Sequence, residues 1–329
     1  MSQNKNAVSK LLEELEACLQ GYDFGDKPKE LYEPIGYILS LGGKRIRPLL
    51  TLMAYSLYRK DYHNILTPAA AVEVFHNFTL MHDDIMDNAP LRRGRATVHE
   101  KWNHNVAILS GDVMLVKAYD MLLDLDQDLL AKSLKLFNRT AAEVCEGQQF
   151  DMNFENLSTV SEEAYIDMIR LKTAVLLGFA LQFGGILARA SEEDCQRLYD
   201  FGVNIGIGFQ LKDDLLDVYA DKEKFGKQVG GDIISNKKTF LLIKARELAH
   251  GEQKEALERW IDATDFEKEE KVNAVTDVYN HLGIKALTEA KMQEYFDRGF
   301  AQLEALKVPD KESYQTLMAL TQELVNREK

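Results

Sequence analysis

Twice in this chain an apolar run ends in the same acidic pattern, Asp83-Asp84-Ile85-Met86-Asp87 and Asp213-Asp214-Leu215-Leu216-Asp217. The stretch before the first, Val72 to Met81, has the length and composition of a largely buried helix. On such a helix Asp83 and Asp87 share a face one turn apart, with Asp84 to the side. Two of these carboxylates ~4 Å apart repel by roughly 4 kcal/mol at an effective dielectric near 20, so a cation is expected beside them. A single acidic cluster can simply cap or solvate a helix end. Its recurrence at identical spacing suggests two facing metal-binding walls.

The rest of the chain also reads as helices. Few β-branched runs and repeated 3.6-residue patterns predict an all-α protein, with Pro28, Pro34, Pro48, Pro68, Pro90 and Pro309 where helices begin or end. No Ser/Gly-rich linker or low-complexity tract divides the 329 residues, which predicts one domain. The most apolar stretch, Ala174 to Ala188, contains Gln182 and three glycines and is too short for a membrane span. The N-terminal pattern Val8, Leu11, Leu12, Leu15, Leu19 is an amphipathic helix and not a signal peptide. Three widely spaced cysteines, Cys18, Cys145 and Cys195, fit free thiols in a reducing compartment. A cytoplasmic protein without stable membrane insertion is therefore expected. A net charge of −13 argues against nucleic acid as a partner, though local basic clusters and metals can still bind small phosphate esters.

Such clusters are present. In Leu41-Gly42-Gly43-Lys44-Arg45-Ile46-Arg47-Pro48 two glycines and three cations precede an apolar helix. Glycine lets backbone N–H groups approach an anion, and Lys and Arg supply the counter-charge. A polar turn with solvated charges is the alternative. Arg92-Arg93-Gly94-Arg95 follows the first acidic motif, either as ordinary ion pairing or to hold an anion that metals attract. Asn105 to Leu123 is a long apolar helix interrupted at Gly111-Asp112, readable as core or as a dimer interface. Lys172 opens the interior helix and needs an anionic partner. Gly202, Gly206 and Gly208 weaken the helix before the second motif unless close packing requires them. Gln210 shares a face with Asp213 and Asp217.

With both aspartate motifs, the Gly-Gly-Lys-Arg-x-Arg-Pro loop and Arg-Arg-Gly in this order, the chain resembles the trans-isoprenyl diphosphate synthases, the polyprenyl synthetase family. The match runs over about two thirds of its length, residues 31 to 245. The resemblance implies an all-α, single-domain bundle of the isoprenoid synthase type around a deep central cavity, acting as a homodimer. It implies a short-chain prenyltransferase that joins isopentenyl diphosphate to an allylic diphosphate with Mg2+. The metal ligands would be Asp83, Asp84 and Asp87 on one wall, and Asp213, Asp214 and Asp217 on the other. Arg92, Lys172, Lys227 and Lys237 would grip the allylic diphosphate, and Lys44, Arg47, His76 and Arg93 the isopentenyl diphosphate, with Arg45 beside them. Lys172, Thr173 and Gln210 match groups that stabilise the carbocation, and Gly147, Gln148 and Asp151 match an element bordering the site. Only Arg327 and Lys329 reproduce the family's basic tail.

Chain length in this family is set by bulk beneath the first motif, which points to Phe75, Phe78 and Thr79. Phe78 lies roughly 7–8 Å down the helix from Asp83 at 1.5 Å per residue. An aromatic at this depth resembles short-chain synthases, and Thr79 resembles geranylgeranyl more than farnesyl producers. A product of twenty carbons slightly ahead of fifteen is expected, with a longer-chain polyprenyl synthase as runner-up. A class I terpene cyclase is disfavoured by the Asp-rich second motif and the Lys44/Arg47/Arg93 set. A partner subunit of a heteromeric synthase is disfavoured because all six aspartates are kept.

Overall fold

The structure of the protein, a computed structural model, describes residues 2–220 and 230–326. The described residues are mostly helical, as the periodicity predicts. The one β element among them is a ribbon of two-residue strands. Contacts group the chain into two compact units, Met1–Arg139 with Phe179–Tyr199 and Leu306–Thr321, and Thr140–Gly178 with Asp200–Ala305 and Gln322–Lys329.

The first unit carries α1 (Ser2–Gly21), α2 (Lys29–Ser40), α3 (Ile46–Ser56) and α4 (Leu66–Met86). The ribbon β1 (Leu91–Arg92) and β2 (Arg95–Ala96) follows, then α5 (Val98–Lys101), α6 (His104–Asp120) and the start of α7 (Gln127–Glu155). Its core is built on α4, whose Ala69, Ala70, Val72, Val74, Phe75 and Met81 are buried together with Leu15, Leu49, Leu52 and Met53. Each fully buried large apolar side chain contributes about 1.5–3 kcal/mol. Helix α6 continues through Gly111 without a break. That glycine lets α6 close on α4, since a Cβ there would lie 2.3 Å from His82 Nε2.

Pro48 and Pro68 occupy first turns, where a missing N–H costs nothing. Pro34 does not mark a boundary but lies inside α2. The bond it removes would have ended on the carbonyl of Glu30, an exposed first-turn residue, so the helix tolerates it.

The second unit contains the end of α7, α8 (Glu162–Ile169), a π-helical turn (Arg170–Ala174) and the start of α9 (Val175–Leu187). It continues through the second half of α10 (Glu192–Tyr219), α11 (Gly231–Ile234), α12 (Phe240–Leu248), α13 (Gly251–Asp262), α14 (Lys268–His281) and α15 (Ile284–Glu304). A last helix, α16 (Lys311–Asn326), begins in the first unit and ends in the second. The glycines of α10 are packing residues. A Cβ on Gly202 would lie 2.7 Å from Gly178, one on Gly206 2.7 Å from Ala174, and one on Gly208 2.4 Å from Phe296. Leu215, Val218, Leu241, Leu257, Val275 and Ile284 form a core behind the second acidic motif. No described helix is long and apolar enough to cross a membrane, in keeping with an interior α9.

Candidate active site

In the first unit, the loop before α3 is shaped by left-handed backbone at Gly42 and Arg45 (φ 79° and 48°) and by Gly43 at φ 143°. The three cations of this loop separate. Lys44 is exposed. Arg45, expected beside the phosphate contacts, is instead 6% exposed and turned inward. Its Nε donates to Glu16 Oε2 at 3.0 Å, Nη1 to Glu73 Oε1 at 2.8 Å and Nη2 to the Leu39 carbonyl at 2.7 Å. Those bonds tie the loop to α1, α2 and α4, so Arg45 is a structural residue.

Arg47 lies two positions on and faces His76, with Nη1 3.1 Å from His76 Nε2. Burial, and then the charges of Arg47, Arg93, Arg92 and Arg45, hold His76 well below the ordinary imidazole range. The ring is therefore neutral and accepts the Arg47 bond. The Arg47 Nε is buried with no partner among the described residues.

Arg93 reaches the same place from the ribbon. Arg93 and Gly94 both have positive φ (54° and 76°), the requirement of a tight two-residue hairpin turn. Tyr37 anchors the ribbon by donating to the Ala96 carbonyl at 2.7 Å. A Cβ on Gly43 would lie 3.0 Å from both terminal nitrogens of Arg93, so that glycine makes room for the guanidinium. Arg47, Arg93 and His76 thus form a cationic cluster with an unused buried donor, as anion recognition requires.

The first acidic motif closes α4. The Asp87 N–H donates to the Asp83 carbonyl at 2.8 Å, so these two residues keep the helical spacing that places them on one face. Asp83 is half-buried and Asp87 exposed. Asp84 is 3% exposed and takes a bidentate bond from Arg92, Nε to Oδ2 at 2.8 Å and Nη2 to Oδ1 at 2.7 Å. That leaves Nη1 of Arg92 for another anion.

Phe78 is half-buried with its ring 4.7 Å from His82 and 5.8 Å from Phe75. Phe75 is buried against Phe137 at 4.9 Å, which also meets Tyr119 and Phe179. Thr79 turns its hydroxyl onto the His76 carbonyl at 2.8 Å.

In the second unit, α7 and the π turn meet at Gly147, where a Cβ would lie 2.2 Å from the Lys172 backbone nitrogen. The π turn shifts the register so that Val175 N–H bonds the Arg170 carbonyl, five residues back. Such turns concentrate at functional sites. This one presents Lys172, which donates to Asp151, and Thr173, whose hydroxyl donates to Gln210 Oε1 at 3.4 Å. Gln210 Nε2 donates to Asp214 Oδ1 at 3.3 Å. Tyr165 donates to the other oxygen of Asp214. Buried Gln148 leaves both amide atoms without partners among the described residues.

Asp214 is buried, and that burial, with Asp232 nearby, pushes its carboxyl up to about 7 despite the Tyr165 bond. Asp232 is also raised, chiefly by burial, with Lys237 opposing and Asp217 and Asp151 adding to it. Asp217 is half-buried and accepts the Asp232 N–H at 2.9 Å, while Asp213 is exposed. Lys237 is exposed, and its N–H bonds the Asp232 carbonyl at 2.9 Å. Among the described residues here, the carboxylates of Asp151, Asp213, Asp214, Asp217 and Asp232 stand beside the cations of Lys172 and Lys237. Lys227 lies outside the described residues.

Sequence reasoning missed Tyr165 and Asp232. Tyr165 sits seven residues before Lys172, and nothing at that spacing marks it. Asp232 lies 15 residues after Asp217 and meets it only through the fold.

The all-α fold and the relatives of this chain make it a prenyltransferase of the isoprenyl diphosphate synthase type. The chain belongs to the polyprenyl synthetase family, whose model matches residues 28–279. It is 42% identical over 255 residues to a short chain isoprenyl diphosphate synthase of Methanocaldococcus jannaschii, covering 77% of this chain and 76% of the relative. It is 37% identical over 305 residues to a geranylgeranyl diphosphate synthase of Saccharolobus solfataricus, covering 92% and 91%. A crystal structure of a geranylgeranyl pyrophosphate synthase superposes with a TM-score of 0.91 at 43% identity, covering 100% of both chains. The family binds diphosphate through divalent metal.

Proposed function

We propose that the protein is a short-chain trans-prenyltransferase that condenses isopentenyl diphosphate with dimethylallyl, geranyl or farnesyl diphosphate. Geranylgeranyl diphosphate is the favoured product and farnesyl diphosphate the next. The observation that carries this reading is the buried Nε of Arg47, without a partner among the described residues, beside a neutral His76 and Arg93. Such a donor is costly unless an anion completes it. Lys44, Arg47 and Arg93 take the isopentenyl diphosphate, with His76 orienting Arg47. By resemblance to the family, Arg92, Lys172, Lys227 and Lys237 take the allylic diphosphate.

The donor set suits Mg2+. Each motif offers carboxylate oxygens at half-buried to exposed positions, Asp83 and Asp87 in the first unit and Asp213 and Asp217 in the second, in line with an ion that keeps waters and shares phosphate oxygens. Among the described residues no three such groups form a cage by themselves, so the substrate would complete the site. The buried Asp84 and Asp214 act by support, one through Arg92 and the other through Tyr165 and Gln210. Bound metal supplies neutralisation of charge building on the leaving diphosphate. The allylic C–O bond breaks, the isopentenyl double bond forms the new C–C bond, and a proton leaves to the released diphosphate. Thr173, Gln210 and the Lys172 carbonyl stabilise the cation between these events.

The whole of residues 1–329 acts as one synthase domain in a cytoplasmic homodimer. Exposed Ile108, Leu109 and Val116 along α6 favour that assembly. The test is turnover of labelled isopentenyl diphosphate with farnesyl diphosphate, with product sizing. Asp83→Ala and Asp213→Ala should each lower turnover by several orders of magnitude with helical content intact. Robust turnover in excess chelator would refute the metal requirement. Forty-carbon products would refute the short-chain reading.

A further inference from the structure

The region beyond residue 246 carries no motif, yet it contains a fully buried cation. Lys271, on α14, is 1% exposed. Its ammonium donates to Asn236 Oδ1 at 2.7 Å and the Ile234 carbonyl at 3.4 Å, and lies 4.3 Å from the Phe266 ring centroid. These described partners include no carboxylate, and burial lowers the amine's pKa. A methionine would fill the same volume without the desolvation cost, so the lysine needs another reason.

The geometry supplies one. Asn236 sits in left-handed backbone (φ 54°) immediately before Lys237, and its Nδ2 donates to the Ile261 carbonyl at 2.9 Å. The short segment from Gly230 to Thr239 carries both Asp232 and Lys237. On one side it hangs from Asp217, whose Oδ2 takes the Asp232 N–H at 2.9 Å and whose carbonyl takes the Gly230 N–H at 2.6 Å. On the other side it rests on α14. Val272 packs so closely that a Cβ at Gly230 would lie 2.6 Å from it, and Lys271 holds Ile234 and Asn236 from below. Between these supports is a water-sized cavity of about 10 Å³ lined by Asp232, Asn236, Lys237, Thr239 and Tyr279.

We propose that Lys271 is a positioning residue: through Asn236 and the Ile234 carbonyl it fixes the turn from which Lys237 and Asp232 reach the allylic diphosphate and its metal. The proposal rests on the prenyltransferase reading above. It gives the motif-free C-terminal region a part in substrate recognition.

The test is the kinetics of Lys271→Met and Lys271→Arg beside wild-type enzyme, with thermal midpoints recorded for each. Lys271→Met should raise the KM for the allylic diphosphate and the half-saturating Mg2+ concentration by about ten-fold. The KM for isopentenyl diphosphate should stay within about two-fold. Lys271→Arg, which can still donate to both acceptors, should recover most of the loss. A lowered midpoint with all KM values unchanged would make Lys271 merely structural and overturn the proposal. So would an equal rise for both substrates. Should Lys271→Met fail to fold, Asn236→Ala removes the same bond from the turn and must show the same split between substrates; no split overturns the proposal. Wild-type enzyme without prenyl transfer would refute the functional reading instead, so the two failures are distinguishable.

Discussion

Arg45 and Arg47 stand two residues apart in one basic loop, and replacing each with methionine should produce opposite phenotypes. For Arg45 the dominant contact is Glu73, a carboxylate 4% exposed at 2.8 Å. Removing one member of a buried pair costs roughly 3–5 kcal/mol, because the other is left charged and unpaired. Asn77 Nδ2, 3.0 Å from the same oxygen, softens this somewhat. The Glu16 arm adds only about 0–1 kcal/mol, since that side chain is 40% exposed and screened. A net loss of about 3–4 kcal/mol should lower the thermal midpoint by roughly 6–16 °C for a cooperative block of 150–250 residues.

Arg45→Met should leave the KM for isopentenyl diphosphate within about three-fold, measured well below the transition. Arg47→Met should do the reverse. It should raise that KM by roughly ten- to a hundred-fold, as loss of charge-assisted bonds to a diphosphate implies, with a small change in midpoint. The pH dependence has a sign. The Arg45 hydrogen bond holds the Glu16 carboxyl below its ordinary value of 4.5, against the opposing effect of burial. That stabilisation is therefore present above about 4.5 and lost as pH falls through the lowered value, so the gap between wild type and Arg45→Met narrows in acid. A wild-type midpoint for Arg45→Met, or a KM shift equal to that of Arg47→Met, would refute the division of labour.

Two more substitutions probe the second unit and the product. Gly147→Ala places a methyl 2.2 Å from the Lys172 nitrogen and must push α7 off the π turn. Overpacking of this kind costs about 1–3 kcal/mol. Displacing Lys172 and Thr173 should cut kcat by about a hundred-fold; unchanged kcat with only a lowered midpoint would detach the π turn from catalysis. Phe78→Ala should lengthen the product by one or more isoprene units at little cost in stability, because Phe78 is only half-buried. Phe75→Ala should instead cost about 3–5 kcal/mol, since Phe75 is 2% exposed in an aromatic cluster. Chromatographic sizing of products and thermal melts separate the two, and an unmoved product distribution for Phe78→Ala would end the floor argument.

The helices were legible because periodicity reports burial, and burial is what holds α4, α9 and α10 in place. The two acidic motifs were legible because spacing alone puts Asp83 and Asp87 on one face. The division between Arg45 and Arg47 was not. Both are arginines in a glycine-rich loop, and the left-handed turn at Arg45 that sends its side chain toward Glu16 and Glu73 depends on contacts 28 and 29 residues distant. Phe137, Tyr119 and Phe179 back Phe75 from other helices for the same reason. Pro34 was misread as a boundary because a proline's cost depends on which carbonyl it leaves unpaired, and that is a property of the helix and not of the residue.

The paired motifs show how far local identity carries. Asp84 and Asp214 are the same residue at the same step of the same pattern, and both are 3% exposed. A guanidinium answers Asp84 with two short bonds. A phenol and an amide answer Asp214, and neither brings a charge. Burial, with Asp232 close by, pushes its carboxyl up to about 7. The buried carboxylate of the first motif is therefore bonded to a charged side chain, while that of the second, among the described residues, is bonded to neutral donors, with Lys237 opposing the rise from further off. What the repeated sequence could not show is that its two copies have different electrostatic needs. That difference comes from Arg92 and Tyr165, neither of which lies within the repeat.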